Sequence, residues 1–177
     1  MQQYRNASPE RSQLLEILTH VLYGLDSSDE SLVFKCSEKI YDEQSSLVIR
    51  CFIDEEGMIG HLNIYHVVKH LQQLAEKEES VYDRNKLAME YLKVVVPHFS
   101  SFPVDDVDHN LSQVLVSLYI ETINACQQTD LGSSLQRELL TLLKTNTSYI
   151  PSTTLDLLPA DSMLYERCVM IHLLLHV

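Results

Sequence analysis

The sequence predicts an all-α protein, and two observations lead to that prediction. The 177 residues include only four glycines and five prolines, too few for the closely spaced turns of a β-sandwich or β-barrel. Leucines and other apolar residues also recur three and four positions apart in one segment after another, which is the spacing of amphipathic helices. Because 45% of the residues are hydrophobic and 21% are charged, the composition is that of an ordinary folded domain.

The first half of the chain contains three clear helical patterns and one ambiguous segment. A helix begins near Pro9 and continues to Gly24, and a second follows the capping residues 27–30. Residues 46–53 form a short apolar run that fits either a buried helix or a strand, and we favour the helix. The most regular apolar stripe in the chain predicts a further helix over residues 62–74.

The middle of the chain predicts two helices separated by a loop. Ser80 and Asp83 have the spacing of a capping box, and we expect Pro97 to end the helix that they begin. Residues 97–109 contain the clearest loop. The next helix is expected to be capped by Asn110 or by the aspartate two residues before it.

The last part of the chain predicts two long helices with a short one between them. Leucines over residues 135–143 predict one long helix, and residues 153–158 fit one or two helical turns. The final helix, from Ser162 to residue 177, is apolar on nearly every side, which is typical of a helix in a core or an interface. Charged and histidine residues interrupt it, and it is shorter than the roughly 20 residues needed to cross a bilayer.

These patterns amount to seven to nine helices arranged in antiparallel pairs. The pairs recur about every 40 residues, a cadence that resembles the helical stacks of HEAT and armadillo repeats. A compact orthogonal bundle fits the same pattern. We predict a single domain over residues 1–177, and any internal boundary is expected in the loop 97–109.

The charge of the chain excludes several classes of partner. The chain has 13 Lys and Arg residues and 25 Asp and Glu residues, which gives a formal net charge of −12 at pH 7. Nucleic acids and anionic membranes both bind basic surfaces, so we predict neither as a partner. The polar start of the chain and four cysteines without a C-x-x-C pair indicate a reducing compartment, cytoplasm or nucleus. The cysteines are expected to be buried and to have raised pKa values.

Two pairs of histidines have the spacing of helical metal ligands. His66 and His70 form one pair and His172 and His176 the other, and residues four apart lie on the same side of a helix. His61 is a further candidate ligand, although it lies off that side. Neither pair carries the glutamate that serves as the base in a zinc hydrolase. We therefore expect no bound metal and keep a metal-dependent or metal-stabilised helical enzyme using His66 and His70 as an alternative.

The sequence predicts a protein-binding function rather than catalysis. It has no G-x-S-x-G turn, phosphate-binding loop or dinucleotide fingerprint, so we expect no enzymatic activity and no cofactor. The predicted function is that of an interaction module, scaffold or adaptor that binds a protein or peptide through an apolar helical surface. A regulatory subunit of a larger complex is the other alternative.

Two surfaces are candidates for that binding. Tyr165, Met170 and Leu174 lie in the apolar final helix, through which the chain is also a candidate to form a homo- or hetero-oligomer. Tyrosine and methionine are enriched in the centres of protein interfaces. Tyr65 and Lys69, in the helix over residues 62–74, form a second candidate surface.

Overall fold

The computed structural model describes residues 9–99, 110–126, 129–146, 148–160 and 162–175. Within these ranges the chain forms eight α-helices and no β-strand, which confirms the predicted all-α class. Within the same ranges, no helix is both long enough and apolar enough to span a membrane. The helices are α1 Pro9–Tyr23, α2 Glu30–Gln44, α3 Ile64–Leu74, α4 Val81–Phe99, α5 Leu111–Ala125, α6 Asp130–Thr145, α7 Pro151–Asp156 and α8 Met163–Leu175.

The ambiguous segment 46–53 is mostly helical. Ser45–Cys51 forms a 3₁₀ helix, so helix was the better of the two predictions there. Ile53, just beyond it, forms an isolated antiparallel bridge with Ile59. The turn between the two bridge residues contains Gly57 at a φ of 80°, a backbone conformation that favours glycine.

Polar side chains cap α4 and α5 where the sequence places them, whereas the cap predicted for α2 within residues 27–30 is wrong, because its N-cap residue Asp29 makes no side-chain cap hydrogen bond. Ser80 accepts a hydrogen bond from the Asp83 N–H at 3.4 Å, and Asn110 accepts one from the Gln113 N–H at 3.0 Å. These bonds satisfy backbone donors that have no partner within the helix. The caps predicted at Ser80 and Asn110 are confirmed, whereas the alternative cap at residue 108 lies outside the described residues.

The predicted end of α4 at Pro97 is wrong. The helix continues through Pro97 to Phe99. A proline lacks the N–H that would bond to the carbonyl four residues earlier, so it removes one helical hydrogen bond. The other helical hydrogen bonds hold α4 through Pro97 to Phe99, the last residue that the structure describes before residue 110.

The described contacts divide the chain into two compact units, residues 1–77 and 78–177. In the first unit, α1 and α2 pack against the 3₁₀ helix, and α2 also contacts α3. In the second unit, α5 packs against α4, α6 and α7, and α8 packs against α6 and α7. The second unit therefore has α5 at its centre and α8 farther out.

Candidate functional site

The inner side of α8 holds this helix against its own unit. Leu164, Cys168 and Ile171 are buried, and α8 contacts α6 and α7. The helix begins after Ser162, whose hydroxyl accepts a hydrogen bond from the Tyr165 N–H at 3.1 Å. The position of α8 is thus fixed by one apolar side and one N-terminal cap.

The outer side of α8 is apolar and exposed to solvent. Four of its side chains are each more than half exposed. Seven and eleven residues are both close to whole numbers of helical turns, so residues 163, 170 and 174 lie almost in line. We call this surface the α8 face; it consists of Met163, Met170, Leu173 and Leu174.

Two of the three residues predicted on this helix belong to the α8 face. Met170 and Leu174 lie one turn apart and are both exposed. Tyr165 is half-buried and lies five positions before Met170, well around the helix from it. Met163 and Leu173 were missed, although the position of Met163 seven residues before Met170 is a signal that sequence periodicity provides.

The second predicted surface lies on α3, in the first unit. Tyr65 and Lys69 are both exposed and lie one turn apart. Asn63 caps this helix by accepting a hydrogen bond from the Tyr65 N–H at 3.0 Å. The structure therefore brings the two residues together, on a surface with one aromatic and one cationic side chain.

His70, also on α3, belongs to the core of the first unit. Its ring stacks on Phe34, with centroids 4.2 Å apart, and its Nε2 lies 2.8 Å from the Ser37 hydroxyl. That hydroxyl donates its proton to the Phe34 carbonyl, so His70 Nε2 must be the donor in the pair. Burial lowers the pKa of His70 below its ordinary value of 6.5, which keeps the ring neutral at pH 7.

His66 has different surroundings from His70. It is exposed, and its Nδ1 lies 2.9 Å from a carboxylate oxygen of Glu30. Although the two histidines are four residues apart, the His66 ring is exposed to solvent and the His70 ring lies in the core. Within the ranges that the structure describes, no group of three or more His, Cys, Asp or Glu side chains is placed to hold a metal ion. The second pair is only partly described, because residue 176 lies outside those ranges.

A polar cleft lies between α4, α5 and α6. Glu138 is its central group, since one carboxylate oxygen accepts hydrogen bonds from Lys93 at 2.7 Å and from the Tyr119 hydroxyl at 2.9 Å. The hydrogen bond from Lys93 lowers the pKa of Glu138, and burial raises the pKa of Tyr119 to about 12. The cleft has a volume of about 470 Å³ and is lined by Lys93, Tyr119, Ser134, Arg137, Glu138 and Thr141.

Glu138, Tyr119, Cys51 and Cys168 have pKa values that do not suit acid–base or nucleophilic chemistry near pH 7. At that pH Glu138 is ionised and Tyr119 is protonated, whereas a general base works best with a pKa near the operating pH. Burial raises the pKa of Cys51 to about 12 and that of Cys168 to about 11, so both remain weakly nucleophilic thiols. The raised thiol pKa values agree with the sequence prediction for these two cysteines, whereas the predicted burial of Cys36 and Cys126 is wrong, because both are only half-buried.

Comparison of the chain with protein-family models, with curated protein sequences and with solved structures gives no match.

Proposed function

We propose that the protein is a non-enzymatic interaction module, a scaffold or adaptor, that binds a protein partner through the α8 face. The observation that carries the proposal is the exposure of Met163, Met170, Leu173 and Leu174 on one helix. Contiguous exposed apolar surface on a folded protein commonly marks a binding site. Methionine suits such a site because its flexible, polarisable side chain adapts to the partner.

The chemistry of the surrounding residues supports protein binding over other functions. Glu166 and Arg167 are exposed on the turn of α8 between Met163 and Met170, so charges of both signs lie next to Met170, Leu173 and Leu174 and separate them from Met163. Protein interfaces commonly combine an apolar centre with polar residues beside it. The net charge of −12 disfavours nucleic acid and anionic membranes as alternatives.

Three further sequence predictions are part of this proposal. They are the arrangement of the helices as a HEAT- or armadillo-like stack or an orthogonal bundle, residence in the cytoplasm or nucleus, and oligomerisation through α8. The α8 face supports the function whichever helical arrangement holds, because its exposed residues lie on a single helix that packs within one unit.

A single substitution tests the proposed function. Leu174 is 75% exposed, so Leu174→Asp should leave the fold intact and remove apolar contact area from the α8 face. We expect wild-type protein purified from native extract to carry a protein partner in stoichiometric amount, and Leu174→Asp to lose it. Circular dichroism of both proteins checks that the variant is folded.

Leu157→Asp is the matched control. Leu157 is an exposed leucine in the same unit but lies outside α8, so this variant should keep the partner. Retention of the partner by Leu174→Asp, or a wild-type protein that purifies as a monomer without any partner, would contradict the proposal.

A further inference from the structure

A second apolar surface lies on α1, in the other unit. Leu14, Ile17 and Val21 are each more than half exposed, and Leu18 is 36% exposed. Their spacing is i, i+3, i+4 and i+7, which places all four on one side of the helix. We call these four residues the α1 stripe. It extends over about 10 Å of helix.

The first unit does not use the α1 stripe for its own packing. Leu15, Thr19 and Leu22 are the buried residues of α1, and they lie on the side that faces the 3₁₀ helix and α2. The sequence shows one broad run of leucines in this helix, whereas the structure divides it between an inner side and an outer side. The outer side is the surface that remains for a partner.

The charges near the α1 stripe are predominantly negative. Glu10 is exposed one turn before Leu14, on the side of α1 that carries the stripe, and the chain as a whole has a formal net charge of −12. Arg11 is the cation at this end of α1, and its guanidinium is held by two hydrogen bonds to Glu43, at 2.9 and 2.8 Å. A complementary partner therefore presents apolar residues bordered by Lys or Arg.

A second copy of this chain is a poor occupant for the α1 stripe. Each copy carries a formal net charge of −12, so two copies repel one another. A stable protein dimer also buries roughly 800 Å² on each partner, whereas four side chains on two helical turns provide only a few hundred Å². A single helix matches the size and shape of the stripe much better.

We propose that the α1 stripe binds one amphipathic helix with basic flanks, contributed by another protein. The apolar face of that helix packs on Leu14, Ile17, Leu18 and Val21, and its Lys or Arg residues face Glu10. This is the helix-recognition mode in which apolar anchors recur at i, i+3, i+4 and i+7. The site is independent of the α8 face, so either proposal can fail without the other.

Two designed helical peptides test this proposal on the full chain. Both carry leucine at i, i+3, i+4 and i+7; one has lysines beside the leucines, and the other has glutamates at the same positions. We expect fluorescence anisotropy to show saturable binding of the lysine peptide only. The affinity should fall as salt is raised, because ions screen exposed charges.

Variants separate the α1 stripe from non-specific attraction to an acidic protein. Leu14→Gln combined with Val21→Gln should weaken binding of the lysine peptide tenfold or more, and Leu174→Gln, on the α8 face, should leave it unchanged. Both proteins should keep the wild-type circular dichroism spectrum, because the substituted side chains are exposed.

Three results would overturn the proposal. The first is equal binding of the two peptides, or binding of neither. The second is equal affinity of the Leu14→Gln, Val21→Gln protein and the wild type for the lysine peptide. The third is a concentration-dependent dimer of the wild-type chain, seen by sedimentation, that the same double variant dissociates, since a second copy would then occupy the α1 stripe.

Discussion

The helices α5 and α8 are both rich in apolar residues, but they occupy different environments within the same unit. Most residues of α5 are buried, including the polar Gln113 and Thr122. In contrast, α8 buries Leu164, Cys168 and Ile171 and exposes its other side. The difference follows from the neighbouring helices, because α5 packs against α4, α6 and α7, whereas α8 packs against α6 and α7. Apolar composition alone therefore does not distinguish a core helix from an interface helix.

The largest expected difference in stability is between truncation of a leucine in α5 and truncation of a leucine in α8. Leu115 in α5 is 1% exposed and Leu174 in α8 is 75% exposed. Leu115→Ala leaves a cavity and should lower the free energy of unfolding by about 2–5 kcal/mol, whereas Leu174→Ala should change it by less than about 0.5 kcal/mol. Urea denaturation followed by circular dichroism measures both. Equal losses would mean that α8 is a core helix like α5.

A buried amide in α5 gives the next largest effect. The Gln113 side-chain oxygen accepts hydrogen bonds from the Ile150 N–H at 2.9 Å and from the Thr154 hydroxyl at 3.4 Å, which ties the start of α7 to α5. Gln113→Ala removes the acceptor and should cost about 1–3 kcal/mol. Thermal denaturation can compare it with Gln13→Ala, at an exposed position on α1. Similar melting temperatures for the two variants would mean that the hydrogen bonds from Ile150 and Thr154 to Gln113 do not stabilise the protein.

The junction between α5 and α6 depends on a glycine. A Cβ atom at Gly132 would overlap the carbonyl oxygen of Cys126, whereas one at Gly24 would be 3.6 Å from the nearest carbonyl. Gly132→Ala should cost about 1–2 kcal/mol, even though alanine favours helix formation by about 1 kcal/mol. Gly24→Ala is the control and should be close to neutral. A stabilised Gly132→Ala protein would show that α6 can shift away from α5 at no cost.

The smallest expected effect on stability is at the surface of the cleft. Lys93 and Glu138 form an exposed ion pair, so Lys93→Met should change the free energy of unfolding by only about 0–1 kcal/mol. The pKa of Glu138 should rise in this variant, because the hydrogen bond from Lys93 is the main cause of its lowering. An NMR titration of the Glu138 carboxyl measures the change. An unchanged pKa would mean that the pair does not persist in solution.

Local features of the fold were predictable from the sequence. Helix caps depend on residues three positions apart, so Ser80 and Asn110 could be identified directly. The helix end at Pro97 was mispredicted because a proline removes only one helical hydrogen bond, and α4 continues through it to Phe99. The two cap predictions succeeded because each cap is a hydrogen bond to a backbone N–H three residues later in the chain.

Features that depend on distant residues could not be predicted in the same way. His66 and His70 share a helix, but their surroundings are set by Glu30 and by Phe34 and Ser37 on α2. Likewise, the leucine spacing in α1 predicted a helix without indicating which side would be buried. The candidate site on α8 was predicted in part, since Met170 and Leu174 are exposed whereas Tyr165 is half-buried.

The most direct test of the α8 face uses the methionines of the unmodified protein. Met58, Met163 and Met170 are exposed, and Met89 is buried in the second unit, so mild peroxide should oxidise the first three rapidly and Met89 slowly in the purified chain. In native extract, we expect Met163 and Met170 to become protected while Met58 remains reactive. Slow oxidation of Met163 and Met170 in the purified chain, or rates in extract as fast as that of Met58, would contradict the proposed interface.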